Sequence, residues 1–318
     1  MNAVPNRRVI EEVALELAII PAFVEKDWYV VQILQIIQST DLIGAKSVFA
    51  GGTALAKAHQ LLQRFSEDID FRIVDSALAS LTRSEQRKRL SSLKELIQQA
   101  IVNHFPVDNI QVKARDENHF FSFQVEYPSQ FTASEALRPH VLVEFTVTDL
   151  ALPPIVLPVY SFVAQLTGAE PEVPAIACID PVETAVDKLS ALLWRAPDRI
   201  YEPQDDDPDL VRHIHDLETL RDRAMGHKDF RTLAVATIAK DDDRCPRISG
   251  KLLTDKVSIM METLESDKDY PQEYDRFVHG MSYSTSKAPD YQAALGKLRE
   301  LTNYLLEPNP RTKNEYNS

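Results

Sequence analysis

Apolar residues recur every three to five positions through the first forty residues, which is the pattern of an amphipathic helix. This pattern covers residues 7 to 40 and is broken at Pro21, because proline interrupts a helix interior. Further helices are predicted over residues 53 to 62 and 80 to 105. Shorter apolar runs, some of them alternating with polar residues, predict strands. These strands cover residues 47 to 50, 69 to 73, 110 to 112, 120 to 127 and 140 to 147.

The pattern changes in a proline-rich stretch at residues 150 to 182, where we expect a linker and a domain boundary. Beyond it, the clearest predicted helices cover residues 184 to 194, 210 to 223, 231 to 239 and 291 to 306. The sequence therefore predicts an α+β protein, with a mixed sheet and helices over residues 1 to 165 and a mostly helical domain over residues 166 to 318. We expect the second domain to complete an active-site cleft and the tail after about residue 308 to be disordered.

Composition limits the class of protein. Hydrophobic residues make up 44% of the 318 positions, so the chain can bury a sizeable core and is not expected to be disordered. The net charge of −13 disfavours non-specific adhesion to nucleic acid or membranes, although a local basic groove remains compatible with it. Cys178 and Cys245 are far apart and have neither disulfide nor zinc spacing. Without a signal peptide or a membrane-spanning apolar run, we expect a cytoplasmic protein with no membrane partner.

A candidate phosphate-binding turn lies in the segment Phe49-Ala-Gly-Gly-Thr-Ala-Leu-Ala-Lys57. A short apolar strand leads here into Gly51 and Gly52 and then into a helix. Glycine lets the backbone approach a ligand closely, and the N–H groups at a helix start favour anions. A tight structural turn that binds nothing would have the same pattern, so this segment does not decide the function alone.

Two carboxylates follow in the segment Arg64-Phe-Ser-Glu-Asp-Ile-Asp-Phe71. Asp68 and Asp70 are two positions apart on a predicted strand and therefore project to the same face. Like charges at this spacing repel each other, and Mg²⁺ is the expected counter-ion because it binds carboxylates together with substrate phosphates. Glu144 lies within a strongly apolar strand, where a carboxylate is costly unless it is paired or bound to metal. A solvated edge strand is the alternative for the aspartates.

Five segments, taken in order, resemble the AbiEii-type toxin family, a branch of the DNA polymerase beta-like nucleotidyltransferase superfamily. The resemblance covers roughly residues 23 to 220. The segments are Glu25-Lys-Asp-Trp28, Phe49-Ala-Gly-Gly-Thr-Ala-Leu55, Arg64-Phe-Ser-Glu-Asp-Ile-Asp-Phe71, Lys188-Leu-Ser-Ala-Leu192 and Arg212-His-Ile-His-Asp-Leu217. Members of this family are the nucleotidyltransferase components of type IV toxin–antitoxin and abortive-infection systems.

The resemblance implies roles for individual residues. The implied catalytic residues are Asp68, Asp70, Lys188 and Asp216. The implied nucleotide-binding residues are Gly51, Gly52, Thr53, Lys57 and Ser66. The implied magnesium ligands are Asp68, Asp70 and Glu144.

Alternatives stay open for several of these roles. Ser66 has an alternative role in positioning the strand of the aspartates. The alternative to a catalytic role is a surface position for Lys188. For Asp216 the alternative is a solvated acid. The chain has Gly52 where the family often has serine, and His213 where the family often has aspartate.

These implications define the expected function. We expect a magnesium-dependent nucleotidyltransferase that moves a nucleoside monophosphate from an NTP to RNA, in particular to the tRNA 3′ end, and thereby inhibits growth. A cognate antitoxin encoded nearby is the expected partner. A basic cluster at Arg83, Arg87, Lys88 and Arg89 is either a solvated helix face or an RNA contact. The alternatives are phosphorylation, nucleotidylation of a protein or small molecule, and a non-enzymatic NTP-binding module.

Overall fold

The computed structural model describes residues 1–132, 137–201, 210–283 and 289–307. It divides into two compact units. The first unit comprises Met1–Asp180 together with Tyr283, and the second comprises Pro181–Ser282 and residues 289–307. The first unit extends past residue 165, where the sequence placed the boundary, because a strand at residues 173 to 178 belongs to its sheet.

A mixed seven-stranded sheet forms the centre of the first unit, with the order β3-β4-β5-β2-β1-β7-β6. Strands β2 and β5 are parallel, as are β1 and β7, and the other neighbours are antiparallel. The strands are β1 Lys46–Ala50, β2 Asp68–Val74, β3 Ile110–Arg115, β4 Phe120–Glu126, β5 His140–Val147, β6 Ile155–Val159 and β7 Val173–Cys178. The predicted strands all occur in this sheet, and β2 occupies its centre.

Helices cover one face of this sheet and make up the second unit. Those of the first unit are α1 Arg7–Leu17, α2 Pro21–Gln38, α3 Gly51–Thr53, α4 Arg83–Val102 and α5 Phe162–Thr167. Those of the second unit are α6 Pro181–Tyr201, α7 Val211–Gly226, α8 Phe230–Lys240, α9 Leu253–Ser266, α10 Asp269–Met281 and α11 Tyr291–Leu306. Pro21 begins α2 instead of interrupting it, because the first turn of a helix does not need the missing N–H.

The hydrophobic core of the first unit lies on the covered face of the sheet. Ile69, Phe71 and Ile73 of β2 are buried there, and they alternate with half-buried polar residues that project to the opposite face. Helices α2 and α4 pack their apolar residues onto this core, which also includes Phe121 and Phe145. The alternation in β2 thus fixes which face carries the two aspartates.

Two regions differ from the sequence-based prediction. The proline-rich stretch is not a linker, since it contains β6, α5 and β7. Pro158 is tolerated in β6 because this strand lies at the edge of the sheet and its pairing with β7 is irregular at this residue. Helices α9 and α10 were not predicted, and the segment predicted as a helix over residues 53 to 62 continues from α3 only as a π-helical turn, Ala54–Ala58. The predicted disordered tail lies outside the described residues.

In the described part of the chain, no helix is both long enough and apolar enough to cross a membrane.

Candidate active site

The glycine turn joins β1 to α3 directly beside β2. Gly51 has φ +72°, and a Cβ atom there would overlap the Asp70 carboxylate, with Cγ only 2.7 Å away. A Cβ on Gly52 would lie 2.6 Å from an Nη atom of the Arg64 guanidinium. The first glycine is therefore favoured by its left-handed backbone and by the approach of Asp70, whereas a side chain at the second would displace the Arg64 guanidinium.

The two aspartates of β2 are joined to the glycine turn and to β5 by strand register. Asp70 is paired with Ala50 of β1 on one side and with Glu144 of β5 on the other. Asp68 is two residues away on the same face, and all three acids are half-buried. The structure thus brings the three predicted metal ligands to one face of the sheet.

Arg138 contacts this group of acids and was not singled out in the sequence. Its Nη1 lies 2.6 Å from Asp68 Oδ1, and its backbone N–H donates to Glu67 Oε2 at 3.0 Å. A lone arginine before a strand has no spacing that would identify it beforehand. The contact supplies part of the positive charge that two neighbouring aspartates need.

Carboxylate oxygens are suitable donors for Mg²⁺, and register places Asp70 and Glu144 side by side. Among the residues that the structure describes, however, no group of three or more His, Cys, Asp or Glu side chains is arranged to hold a metal ion. The donor chemistry and the backbone positions therefore fit Mg²⁺. In this structure, however, the Asp68 side chain is paired with Arg138. Magnesium binding by Asp68, Asp70 and Glu144 stays a prediction.

Thr53 and Ser66 lie beneath the glycine turn. Thr53 is fully buried, and its Oγ1 is 2.9 Å from Ser66 Oγ and also hydrogen-bonded to the backbone carbonyl of Asp68. These contacts tie the first residue of β2 to the helical turn after Gly52. They agree with the positioning role considered for Ser66, while nucleotide contacts of either hydroxyl stay a prediction.

Lys57 forms an ion pair with Asp27 inside the first unit. The two groups are 2.7 Å apart, and the ammonium lies 4.0 Å from the centre of the Phe162 ring. Asp27 also accepts a hydrogen bond from the Phe162 N–H at 2.7 Å. Burial raises the pKa of Asp27, and the Lys57 ammonium opposes that shift. The Lys57 cation, predicted to bind nucleotide, is thus engaged by a buried carboxylate in this structure.

The residue that precedes Asp27, Lys26, forms a second buried ion pair. Its ammonium contacts Glu67 and donates to the backbone carbonyl of Arg138 at 2.7 Å. Burial lowers the pKa of Lys26, and Glu67 opposes that shift. Because Glu67 precedes Asp68, this pair anchors the start of β2. The segment Glu25-Lys-Asp-Trp28 therefore acts through structure, by fixing the residues around the aspartates.

In the second unit, Lys188 of α6 and Asp216 of α7 form a buried polar contact. Lys188 Nζ lies 2.9 Å from Asp216 Oδ2, and both residues are buried. A buried charge needs a partner, so neither the surface lysine nor the solvated acid considered from the sequence describes them. The structure brings these two predicted catalytic residues together.

His213 contacts the same lysine, which the sequence did not suggest. Its Nδ1 is 3.4 Å from Lys188 Nζ. Burial and the neighbouring ammonium hold the pKa of His213 well below its ordinary value. The ring is therefore neutral at neutral pH, so Nδ1 is available as an acceptor for the ammonium. His213 occupies the position where the related family often has an acid.

The basic cluster on α4 is partly used within the fold. Arg83 pairs with Glu117 at 2.8 Å. Arg89 pairs with the buried Asp75 and donates to the backbone carbonyl of Ile43 at 3.0 Å. Two of the four basic residues considered as RNA contacts therefore have partners within the protein.

The family assignment rests on the greater part of the sequence. A family model described as the nucleotidyl transferase AbiEii toxin of type IV toxin–antitoxin systems matches residues 32–297. The chain belongs to this AbiEii toxin family. The family resemblance is thereby confirmed, with four of its five segments inside the matched residues and Glu25-Lys-Asp-Trp28 before them, and so is the general class, a toxin-family nucleotidyltransferase.

One solved structure has the same fold as this AbiEii-family chain. The chain is similar to MenT4, a nucleotidyltransferase toxin from Mycobacterium tuberculosis H37Rv, with a TM-score of 0.58 and 18% identity over 98% of this chain and 92% of that chain. The likeness confirms the predicted α+β nucleotidyltransferase fold. A putative nucleotidyltransferase from H. pylori aligns with a TM-score of 0.37 and 16% identity, over 87% of this chain and 94% of that chain, which is below the level of a shared fold. A search of curated proteins finds no significant match.

Proposed function

We propose that this chain transfers a nucleoside monophosphate from an NTP to RNA, in particular to the 3′ end of tRNA, and that this transfer inhibits growth. The observation that carries the proposal is the position of Asp70, whose carboxylate closes over Gly51 and lies beside Glu144 on the face shared with Asp68. Three acids next to a glycine turn suit a site for a triphosphate with its counter-ion. Membership in the AbiEii family supports the reaction class.

The proposed reaction is a phosphoryl displacement. The acceptor hydroxyl oxygen forms a bond to the α-phosphorus of the NTP, the bond from that phosphorus to the β-phosphate oxygen breaks, and pyrophosphate leaves. Such a reaction depends mostly on positioning and on neutralising charge. Gly51 and Gly52 leave room for the phosphates, and Asp68, Asp70 and Glu144 would hold Mg²⁺, which supplies positive charge to the phosphate oxygens when it is bound.

Lys188 has the role of a second positive charge for the phosphates in this proposal. Asp216 and neutral His213 both contact its ammonium, at 2.9 Å and 3.4 Å. Because His213 carries no charge, the positive charge of Lys188 is balanced by one carboxylate, that of Asp216, and not by two. The lysine therefore keeps more of its attraction for a phosphate than it would between two acids.

A cognate antitoxin, encoded nearby, is the proposed partner, and the cytoplasm is the proposed location. Membership in a toxin–antitoxin family supports both proposals. The net charge of −13 favours one competing function, which is phosphorylation or nucleotidylation of a protein or small molecule. A non-enzymatic NTP-binding module is disfavoured because the chain keeps both the acids of β2 and the buried Lys188–Asp216 pair.

Labelled nucleotides separate these functions. Purified protein with Mg²⁺ and total cellular RNA is incubated with each NTP, labelled either at the α- or at the γ-phosphate. The proposal predicts that α-label enters RNA, that γ-label does not, and that Asp70→Asn abolishes the transfer while remaining folded. Entry of γ-label into any acceptor would indicate phosphorylation, and α-label in protein alone would exclude RNA as the acceptor.

A further inference from the structure

The face of the sheet that carries the acids continues across β4 and β3 with mostly polar residues, of which Ser122 is buried. Strand register aligns its residues in two neighbouring rows. The carboxylate row comprises Asp70, Glu144, Ser122 and Lys113. The arginine row comprises Arg72, Thr146, Phe120 and Arg115. The two rows lie two residues apart on every strand, or roughly 7 Å.

An aromatic ring and an arginine meet in the arginine row. The guanidinium of Arg115 lies 4.0 Å from the centre of the Phe120 ring. Phe120 is half-buried, and Arg115 and Lys113 are exposed at the edge strand of the sheet. The neighbouring phenylalanines of β4, Phe121 and Phe123, are fully buried. Phe120 is thus the phenylalanine of β4 that remains accessible beside a cation.

The charge of this surface is unlike that of the whole chain. The net charge is −13, yet the arginine row contains two arginines and no acid, and the carboxylate row ends in Lys113. An exposed lysine or arginine attracts phosphates mainly within a Debye length of about 8 Å at physiological salt. The arginine row and Lys113 therefore offer a local binding surface for a polyanion, beside the acids of β2 and β5 on the same face.

We propose that the single-stranded 3′ segment of the acceptor RNA lies along the arginine row, with a base stacked on Phe120 and Arg115. This inference rests on the proposed function, because it places the acceptor beside the acids. Proteins bind unpaired RNA by stacking bases on aromatic rings or on arginine planes, and a sheet face is a common platform for this. With strands about 4.8 Å apart, Phe120 lies on the order of 10 Å from β2, so a strand on this row reaches the acids within its last nucleotides.

The basic cluster on α4 lies near this row, because Arg83 pairs with Glu117 in the turn that joins Arg115 to Phe120. Helix α4 packs Leu90, Leu93 and Ile97 into the core on the opposite face of the sheet. Arg87 and Lys88 of that cluster are exposed and were considered as RNA contacts, so R87Q/K88Q tests that neighbouring surface with the same loss of two charges. The pair formed by Phe131 and Arg7, with the guanidinium 4.7 Å from the ring centre, is a matched control for the removal of an aromatic ring beside arginine.

The test measures the affinity of the full chain for a fluorescent 12-nucleotide single-stranded RNA at several salt concentrations, without NTP. Phe120→Leu is expected to weaken binding on the order of 10-fold, since one stacked base contributes roughly 5- to 150-fold. K113Q/R115Q is expected to reduce the slope of log affinity against log salt by about 1.4, because each phosphate that a cation neutralises contributes about 0.7 to that slope. Phe131→Leu is expected to bind like wild type, and R87Q/K88Q is expected to lower the affinity and the salt slope less than K113Q/R115Q.

Unchanged affinity of Phe120→Leu, or an equal weakening in R87Q/K88Q, would overturn the inference. Equal binding of an RNA duplex through the same residues would also overturn it, because duplexed bases are not available for stacking. Failure of the proposed function has a different signature: the RNA-affinity differences persist, while wild type transfers no α-label to RNA. Circular dichroism of each variant confirms that the sheet is folded before affinities are compared.

Discussion

Replacing Gly51 with alanine tests whether nucleotide transfer depends on the close approach of Asp70 to the glycine turn. Gly51 has φ +72°, and a left-handed conformation costs a residue with a Cβ atom about 1–2 kcal/mol. The new methyl group would also overlap the Asp70 carboxylate and lie 2.7 Å from its Cγ, so Asp70 must turn away. A displacement of about 1 Å at a reacting centre can cost about 100-fold in rate. We therefore expect Gly51→Ala to remain folded and to transfer nucleotide at least about 100-fold more slowly.

Gly168 provides the matched control, because its φ of +68° is nearly the same and a Cβ atom there meets nothing within 4 Å. Gly168→Ala should show a similar loss of stability, about 2–4 °C in Tm for each 1 kcal/mol, with wild-type transfer. Transfer is measured from α-labelled NTP into RNA, and Tm by thermal unfolding. Wild-type transfer by folded Gly51→Ala, or an equal loss of transfer in Gly168→Ala, would refute the reasoning.

Three further predictions concern the acids, the lysine and the histidine. Asp70→Asn and removal of divalent ions by EDTA should each abolish transfer without unfolding the chain, as checked by label transfer and circular dichroism; residual activity in EDTA would exclude the metal. Lys188→Ala should lower the transfer rate about 100-fold, equivalent to about 3 kcal/mol, and wild-type kinetics would remove Lys188 from the site. Below about pH 6.5 the unfolded chain protonates His213 whereas the folded chain does not, so stability falls with decreasing pH by up to about 1.4 kcal/mol per unit. His213→Gln should reduce that slope in urea unfolding between pH 5 and 7, and an unchanged slope would contradict the neutral ring.

Much of the first unit could be predicted because short-range pattern determines it. The alternation around Asp68 and Asp70 identified a half-buried strand, and two glycines after an apolar strand identified the turn beside it. These features depend on neighbours in sequence. The register that joins Asp70 to Glu144 depends on long-range pairing, and it agrees with the expectation only because both acids lay within recognisable strands.

Other features could not be predicted because long-range contacts determine them. The contact of Arg138 with Asp68 joins residues 70 positions apart. Pro158 of β6 and the prolines around it indicated a loop, since a sequence does not reveal that a strand will lie at a sheet edge. His213 had the spacing of an ordinary helical residue, and its contact with Lys188 follows from the packing of α6 against α7.

The order of strands in the sheet has a consequence for how the chain folds. Strand β1 ends at the glycine turn, yet its parallel neighbour β7 is made from residues 173 to 178, so the two ends of that pairing are separated by most of the first unit. Pairing between segments so distant in sequence carries a large loop-closure cost and is slow. During synthesis, β1 must therefore wait for nearly the whole first unit to leave the ribosome before both of its edges are covered. A nascent chain shorter than this exposes an unpaired strand next to the glycine turn, and we expect such fragments to aggregate instead of forming a working site.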